Sequence, residues 1–380
     1  MISLRRASRP VFLQNKTGNS DAKGVWIGGD HPVVVQSMTT TDTADADKTL
    51  EQIYALAMEG CEVVRVTVKD APDAAGMPAI VHRSPVPIVA DIHFDHKMAL
   101  AAIDAGVAKL RLNPGNIRDV AKTREVVEAA KAKGIPIRIG VNLGSLAPDL
   151  EKIHGLSPVA MVESAMRHVE ILEDLDHRDI VISLKAHDVM MTVAAYRLMD
   201  KRLRERDTPY PLHLGITEAG LLRDGTIKSS IGLGILLFEG IGDTIRVSLA
   251  TDPVEEVPVC WGILKSLGLR EKGFEITACP SCGRAEISVL DLGQKVEAIA
   301  KEYTAPVKVA VMGCVVNGPG ESKMADVGVA GGKGKGAIYR AGELVGTYPE
   351  AELLDALRAE IEKVIVEKYP DYAHEAVGAR

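Results

Sequence analysis

Short runs of Val, Ile and Leu recur along the chain at Val33–Met38, Val63–Val68, Ile88–His93, Lys109–Asn113, Ile135–Val141, Ile180–Leu184, Leu212–Ile216 and Thr244–Leu249. Between most of them lie amphipathic stretches with helical spacing: Asp47–Glu59, Lys97–Ala105, Ile117–Lys133, Val159–Asp174, Val189–Arg206 and Ile227–Leu237. Strand alternating with helix implies parallel strands joined by right-handed crossovers. Eight such units, with no G-x-G-x-x-G after the first strand, predict an α/β fold closed into a (β/α)8 TIM barrel rather than an open nucleotide-binding sheet. The eighth unit closes with a helix around Asp252–Leu267. The rhythm then breaks. Phe274–Thr277 runs into two cysteines, Gly293–Glu302 reads as a helix and Lys308–Met312 as a strand. A glycine-dense tract follows over Gly313–Gly336, and an amphipathic helix over Glu350–Glu367. The expected division is an N-terminal extension over 1–20, a barrel over 21–268 and a small α+β domain over 269–380.

Length agrees with that division. A (β/α)8 barrel takes about 250 residues, leaving room in 380 for one small further domain. Hydrophobic residues at 46% and charged residues at 26% exclude disorder. The 45 Lys and Arg against 52 Asp and Glu give a net charge of −7, so the chain has no global attraction for nucleic acid or an anionic membrane. The nearest approach to a spanning run, Ile231–Phe238, is far too short. The basic N-terminal stretch has no apolar core of the kind a signal peptide needs, which points to the cytoplasm. Five cysteines, an odd number, then favour metal or redox chemistry over disulfides.

Catalytic groups on such barrels sit at the C-terminal ends of the strands. Those positions hold Gln36 and Ser37, Arg65, Asp91 and His93, Arg111 and Asn113, Arg138 and Asn142, Lys185 and His187, His213 and Glu218, and Arg246 and Ser248. Arg65, Arg111, Arg138, Lys185 and Arg246 thus bring five cations from five strands towards one rim. Burying them together without an anion would cost several kcal/mol each. A diphosphate ligand removes the conflict, because guanidinium forks match phosphate oxygens. The alternative is that several point outward to surface carboxylates. The run Gly331–Gly336 lacks Walker A spacing, so it is no nucleotide loop. His93 and His96 have the spacing of half a metal site but no obvious third ligand. Cys61 and Cys260 read as small buried hydrophobes.

Cys279-Pro-Ser-Cys282-Gly-Arg284 is a C-x-x-C in a tight turn, and a third cysteine, Cys314, follows in G-C-V-V-N-G-P-G-E ending at Glu321. Three thiolates in one small domain suit a [4Fe–4S] cluster held on three corners, with Glu321 as candidate for the fourth iron. A structural zinc site of three cysteines and one other ligand is the alternative, although no second C-x-x-C or H-x-x-x-H completes an ordinary zinc fold.

The pairing of C-P-S-C-G-R with G-C-V-V-N-G-P-G-E behind an eight-unit barrel resembles the 4-hydroxy-3-methylbut-2-enyl diphosphate synthases of the non-mevalonate isoprenoid pathway. The barrel motifs V-Q-S-M-T, L-R-L-N-P-G-N-I, R-I-G-V-N and G-I-T-E-A-G support the same likeness, which spans essentially the whole chain. One departure is His187, where the family pattern expects a smaller residue. The resemblance implies a two-electron reductive ring opening of 2-C-methyl-D-erythritol 2,4-cyclodiphosphate with loss of water. It also implies that Arg65, Arg111, Asn113, Arg138, Asn142, Lys185, His213, Arg246 and Ser248 bind substrate. Glu218 is then the first choice of acid, with Asp91 and His213 as neighbours that position substrate, and Cys279, Cys282, Cys314 and Glu321 hold the cluster.

The family's donors, flavodoxin and ferredoxin, are acidic, and Arg284, Lys323, Lys333, Lys335 and Arg340 form a candidate docking patch. The eighth barrel helix runs away from the catalytic mouth, so the cluster domain is expected to attach at the opposite face. A head-to-tail homodimer, one chain's cluster capping the other's barrel, or an interdomain hinge would bring the two together. Two rival readings are a pterin-synthase-like barrel with an appended zinc module, and an iron–sulfur sensor of a phosphorylated ligand or RNA.

Overall fold

The computed structural model describes residues 5–18, 23–93, 95–113, 119–314 and 318–374. Residues 114–117 of the L-R-L-N-P-G-N-I motif, which include the expected start of the Ile117–Lys133 helix, and 315–317 of the second cysteine loop lie outside them. The chain forms two compact units, Met1–Arg270 and Glu271–Arg380.

The first unit is a barrel of eight parallel strands: β1 Val34–Met38, β2 Val63–Val68, β3 Ile88–Ile92, β4 Lys109–Leu112, β5 Ile137–Asn142, β6 Ile180–Lys185, β7 His213–Leu214 and β8 Thr244–Ile245. Their order is β6-β5-β4-β3-β2-β1-β8-β7, and a parallel bridge between Ile182 and Leu212 closes the ring. Each crossover holds at least one helix, and the start of most is set by a side chain just past the strand. Asp45, Asp70, Asp95, Asp119, Ser157 and Asp188 all accept from backbone N–H groups of a helix's first turn. A helix over Ala71–Arg83 fills the β2–β3 crossover despite Pro72 and Pro78; Pro72 lies in the first turn, where its missing donor has no partner to lose.

Alternation sorts each strand. Val64, Val66, Leu110, Ile137, Ile139 and Ile182 pack outward against the helices. Inward, the lowest layer is Val34, Val63, Val89 and Val181. Here the stretch read as an N-terminal extension is corrected. Val11–Leu13 pairs antiparallel with Val25–Ile27, and Val11, Leu13 and Ile27 are packed into that valine layer, forming the barrel's floor. The two-residue β7 and β8 are shorter than the expected Leu212–Ile216 and Thr244–Leu249, though both segments follow the predicted path.

The second unit is a five-stranded sheet in chain order: β9 Glu275–Ala278, β10 Lys308–Met312, β11 Val327–Gly332, β12 Lys335–Arg340 and β13 Glu343–Pro349. The first three are parallel and the last two antiparallel. Helices Val289–Ala300 and Glu350–Lys368 bury Val296, Ile299, Leu357 and Ile361 against it. No described helix is long and apolar enough to cross a membrane.

Candidate functional site

Above the valine floor the barrel lumen turns polar. Asp91, Lys109, Arg111, Arg138, Lys185 and His213 are buried there, and Arg65 and Arg246 are half-buried. None of the five predicted cations points outward to a surface carboxylate. Their counter-charges are instead inside. Asp91 Oδ1 accepts from Arg111 Nη1 at 2.9 Å, and Asp91 Oδ2 lies 3.4 Å from Arg65 Nε and 3.8 Å from His93 Nε2. Glu256, on the helix after β8, accepts from Arg246 Nε and Nη2 at 3.2 Å each, from Ser37 Oγ at 2.8 Å and from Leu249 N at 3.0 Å. Met38 Sδ accepts from Arg65 Nη2 at 2.7 Å and faces Arg246 Nη1 at 3.5 Å.

Among the described residues the lumen therefore holds six basic side chains and two carboxylates. Burial pushes the Asp91 carboxyl up, but Arg65, Arg111, His93 and Arg138 outweigh it and hold the group well below the usual carboxylate range. Asp91 is thus held as an anion, in keeping with a positioning rather than a proton-donating part. Lys185 has no carboxylate partner among the described residues, and Arg138 keeps Nε and Nη1 unpartnered. Burial, followed by Arg138, Arg246, Arg65 and Arg111, drives the Lys185 amine far down. His213 is pushed down by burial and by Lys185, Arg138 and Lys109, so its ring is neutral; its Nε2 is buried and unpartnered. Tyr196 fixes that strand by donating to His213 O at 2.5 Å while its oxygen accepts from Leu184 N at 3.0 Å.

Two glycines make room for these cations. A Cβ at Gly140 would stand 2.5 Å from Arg111 Nε, and one at Gly215 would stand 2.5 Å from Lys185 Nζ and 2.8 Å from Arg246 O. Arg111 Nη2 donates to Gly140 O at 2.9 Å. A glycine at an inward strand position beside a cation is a usable signal in the sequence that the reading of motifs missed; it missed Glu256 as well.

The remaining predicted residues lie around the rim. Asn113 Nδ2 donates to Ser145 Oγ at 3.0 Å, and Ser248 is half-buried after β8. Asn142, Ser145, His187 and Glu218 line one cleft of about 270 Å³. Glu218 is exposed and adopts φ 51°, a left-handed conformation that a carboxylate residue rarely holds without a local reason. His96 turns to Asp95 and Glu125 and away from His93, so the H-x-x-H pair does not converge. Cys61 and Cys260 are buried, and burial pushes both thiols up to about 12.

In the second unit Cys279 follows β9 and Cys314 follows β10, so both leave adjacent parallel strands at the same end. Cys279 N donates to Val311 O at 2.9 Å, and Glu286 N donates to Gly313 O at 2.8 Å, tying the Cys279–Cys282 turn to the strand that presents Cys314. Cys282 is exposed; hydrogen bonds from the backbone and side chain of Arg284 lower its thiol. Cys282, then the charges of Cys314 and Cys279, raise the Arg284 guanidinium. Among the described residues no three Cys, His, Asp or Glu side chains are already grouped closely enough to hold a metal ion. Glu321 lies half-buried on the short helix Gly318–Ser322. The proposed docking cations do not form one patch. Lys333 and Lys335 are exposed at the β11–β12 turn, which follows the C-terminal end of β11 and hence the cysteine end of the sheet. Lys323 packs near Gly342 at the opposite end, and Arg340 is spent on Glu360 at 2.5 Å and Glu367 at 2.8 Å.

Both units match known families. The GcpE TIM-barrel domain matches residues 17–261 and the GcpE protein C-terminal domain matches residues 275–363. The chain is 53% identical over 358 residues to a Geobacter sulfurreducens protein named 4-hydroxy-3-methylbut-2-en-1-yl diphosphate synthase (flavodoxin), covering 94% of this chain and 100% of that one. A Maridesulfovibrio salexigens protein of the same name is 54% identical over 366 residues, covering 96% of this chain and 98% of its own length.

Proposed function

The chain belongs to the GcpE family, and from that premise we propose that it is a flavodoxin-dependent 4-hydroxy-3-methylbut-2-en-1-yl diphosphate synthase. The reaction is the two-electron reductive ring opening of 2-C-methyl-D-erythritol 2,4-cyclodiphosphate: the ring C–O bond breaks and one hydroxyl leaves as water. The observation that carries the reading is the charge of the lumen. Six buried or half-buried basic side chains face two carboxylates, both already engaged, and a diphosphate supplies the missing anions.

In this reading Arg111, Arg138 and Lys185 hold the diphosphate oxygens, with Arg65 and Arg246 beside them. Asp91 is a positioning residue that aims Arg65 and Arg111. Asn113, Asn142 and Ser248 contact the ligand from the rim, and neutral His213 offers a ring nitrogen from the lumen wall. Glu218, exposed on the rim cleft, delivers the proton to the departing oxygen.

The small unit's donor set fits an iron–sulfur cluster better than zinc: three thiols, one of them favoured as thiolate by Arg284, and one carboxylate. Cys279, Cys282 and Cys314 would hold a [4Fe–4S] cluster with Glu321 as an exchangeable fourth ligand. When bound, such a cluster supplies electrons one at a time together with a Lewis-acid position. Anaerobic protein is expected to be brown, with iron and sulfide in equal amounts. Colourless protein containing zinc would revive the pterin-synthase-like reading. That alternative and the sensor reading are otherwise disfavoured, because a single family covers both units.

Reduced flavodoxin docks, we propose, at the cysteine end of the sheet, guided by Lys333 and Lys335; such a donor places the chain in the cytoplasm. Reversing both charges (Lys333→Glu, Lys335→Glu) should raise the apparent KM for flavodoxin several-fold at low salt, with kcat unchanged. An unchanged KM would discard the patch.

The chain leaves the barrel at its floor, where Arg270 donates to Val33 O at 2.7 Å and to Glu62 at 3.0 and 3.1 Å. A head-to-tail homodimer in which one chain's cluster serves its partner's mouth meets that exit point. Mixed Arg111→Ala and Cys279→Ala subunits should then recover activity that neither variant has alone. No recovery from verified mixed dimers would favour a hinge within one chain.

A further inference from the structure

Lys109 is one of the six basic side chains of the lumen, but it stands one step below Arg111 on the same strand and is assigned no ligand contact above. It is the inward residue of β4 two positions before Arg111, in register with Val89 of the floor layer, and it is fully buried. Its Nζ has no hydrogen-bond partner. Other buried polar atoms of the barrel strands are also unsatisfied: both amide atoms of Gln36 on β1, Nε and Nη1 of Arg138 on β5, and Nε2 of His213 on β7. The apolar floor layer, with Val34, Val63, Val89 and Val181, lies at its level and below.

Among the described residues, the titratable and charged groups sharing the lumen are Arg65 from β2, Asp91 from β3, Arg111 on its own strand, Arg138 from β5, Lys185 from β6, neutral His213 from β7, Arg246 from β8 and Glu256 from the following helix. The two carboxylates are committed elsewhere, Asp91 to Arg65 and Arg111, Glu256 to Arg246, Ser37 and Leu249 N. An ammonium at Lys109 would therefore meet cations without an anion. Burial, then Arg138 and Arg65, holds the amine well below the ordinary lysine range.

We propose that Lys109 is a proton-linked positioning residue for the bound anion: neutral while the mouth is empty, it takes up one proton from solvent as the cyclic diphosphate enters. The inference rests on the diphosphate reading of the mouth. Each phosphorus of that ligand bears one ester oxygen, one bridging oxygen and a single strongly acidic oxygen, so it arrives ionised and carries no proton of its own. The step is protonation of R–NH2 to R–NH3+, and no ligand bond changes. An anion above Arg138 cancels the field that opposes the ammonium, and the new charge in turn strengthens the hold on the anion. Because binding raises the pKa of Lys109, affinity is fully enhanced at the low-pH side. It falls as pH rises through the window between the free-state and bound-state values.

Anaerobic calorimetry of the holoenzyme with the cyclic diphosphate, in buffers of different ionisation enthalpy at mildly alkaline pH, counts the protons. Wild type should take up about one more proton per ligand than Lys109→Met, whose affinity should also lose its pH dependence across that window. Lys109→Arg, which stays protonated, should bind without the uptake. Ligand-free Lys109→Met should melt no lower than wild type, because a side chain of similar length replaces an unpaired buried amine. If Lys109→Met does not fold, Lys109→Arg carries the comparison. Uptake unchanged in the variant, or absent in wild type, overturns the role of Lys109. No heat of binding in wild type would instead overturn the diphosphate reading.

Discussion

Arg111→Ala should lower kcat/KM for the cyclic diphosphate by about 10²- to 10³-fold, equivalent to ~3–4 kcal/mol. Arg111 is buried and divides its fork between Asp91 Oδ1 and Gly140 O. Its removal takes a cation from the anion's pocket and, among the described residues, leaves Asp91 with Arg65 as its one close guanidinium. Most of the loss should appear in KM, because the group binds the diphosphate throughout the reaction, with a smaller part in kcat. The visible spectrum and iron content should not move. Steady-state kinetics alongside metal analysis checks both; a change below 10-fold would remove Arg111 from the anion site. Arg111→Lys should recover little, since one ammonium cannot hold both Asp91 and Gly140 O and also face the ligand.

The second large effect belongs to the other unit. Cys314→Ala should abolish turnover, to below about 10⁻³ of wild type, and remove the visible absorption and bound iron, while ligand affinity measured by calorimetry stays within about twofold. Cys314 is buried on the loop leaving β10, and alanine removes only its sulfur, so it costs the core little and the loss reports on the thiolate. Its opposite pattern to Arg111→Ala, one losing affinity with iron intact and the other losing iron with affinity intact, separates the work of the two units. Turnover retained without iron would contradict the assignment of the three cysteines.

What can be read from the sequence depends on what each residue does. The rim cations are legible because a strand alternates, and Arg65, Arg111, Arg138 and Lys185 interrupt aliphatic runs at inward positions. Their partners are not. Glu256 follows in a helix that reads as an ordinary polar start, and only closure of the barrel carries it to Ser37 on β1. Lys109 opens a strand, where a lysine reads as solvent-facing, yet the ring buries it completely.

The glycine-dense tract over Gly313–Gly336 carries no strand signal in the sequence, yet it contains β11 and the turn into β12. Glycine is needed there for packing: a Cβ at Gly328 would fall 1.8 Å from Ser322 Oγ, and one at Gly331 would fall 2.3 Å from Ile287 Cγ1. A short helix and a neighbouring side chain press directly on that strand, and composition alone cannot distinguish close packing from a flexible turn. Arg340 shows the reverse error. In the sequence it looks available for docking, but β12 delivers it to two glutamates of the last helix.

In the scheme proposed here, an anion held in the barrel is reduced through thiol-bound iron in the small unit. The most direct test is an anaerobic assay of the purified holoprotein with 2-C-methyl-D-erythritol 2,4-cyclodiphosphate and reduced flavodoxin, counting flavodoxin oxidised against product by mass spectrometry. The expected result is 4-hydroxy-3-methylbut-2-enyl diphosphate at two one-electron oxidations per molecule formed. Tight binding of the cyclic diphosphate with iron fully loaded, and no product, would contradict it.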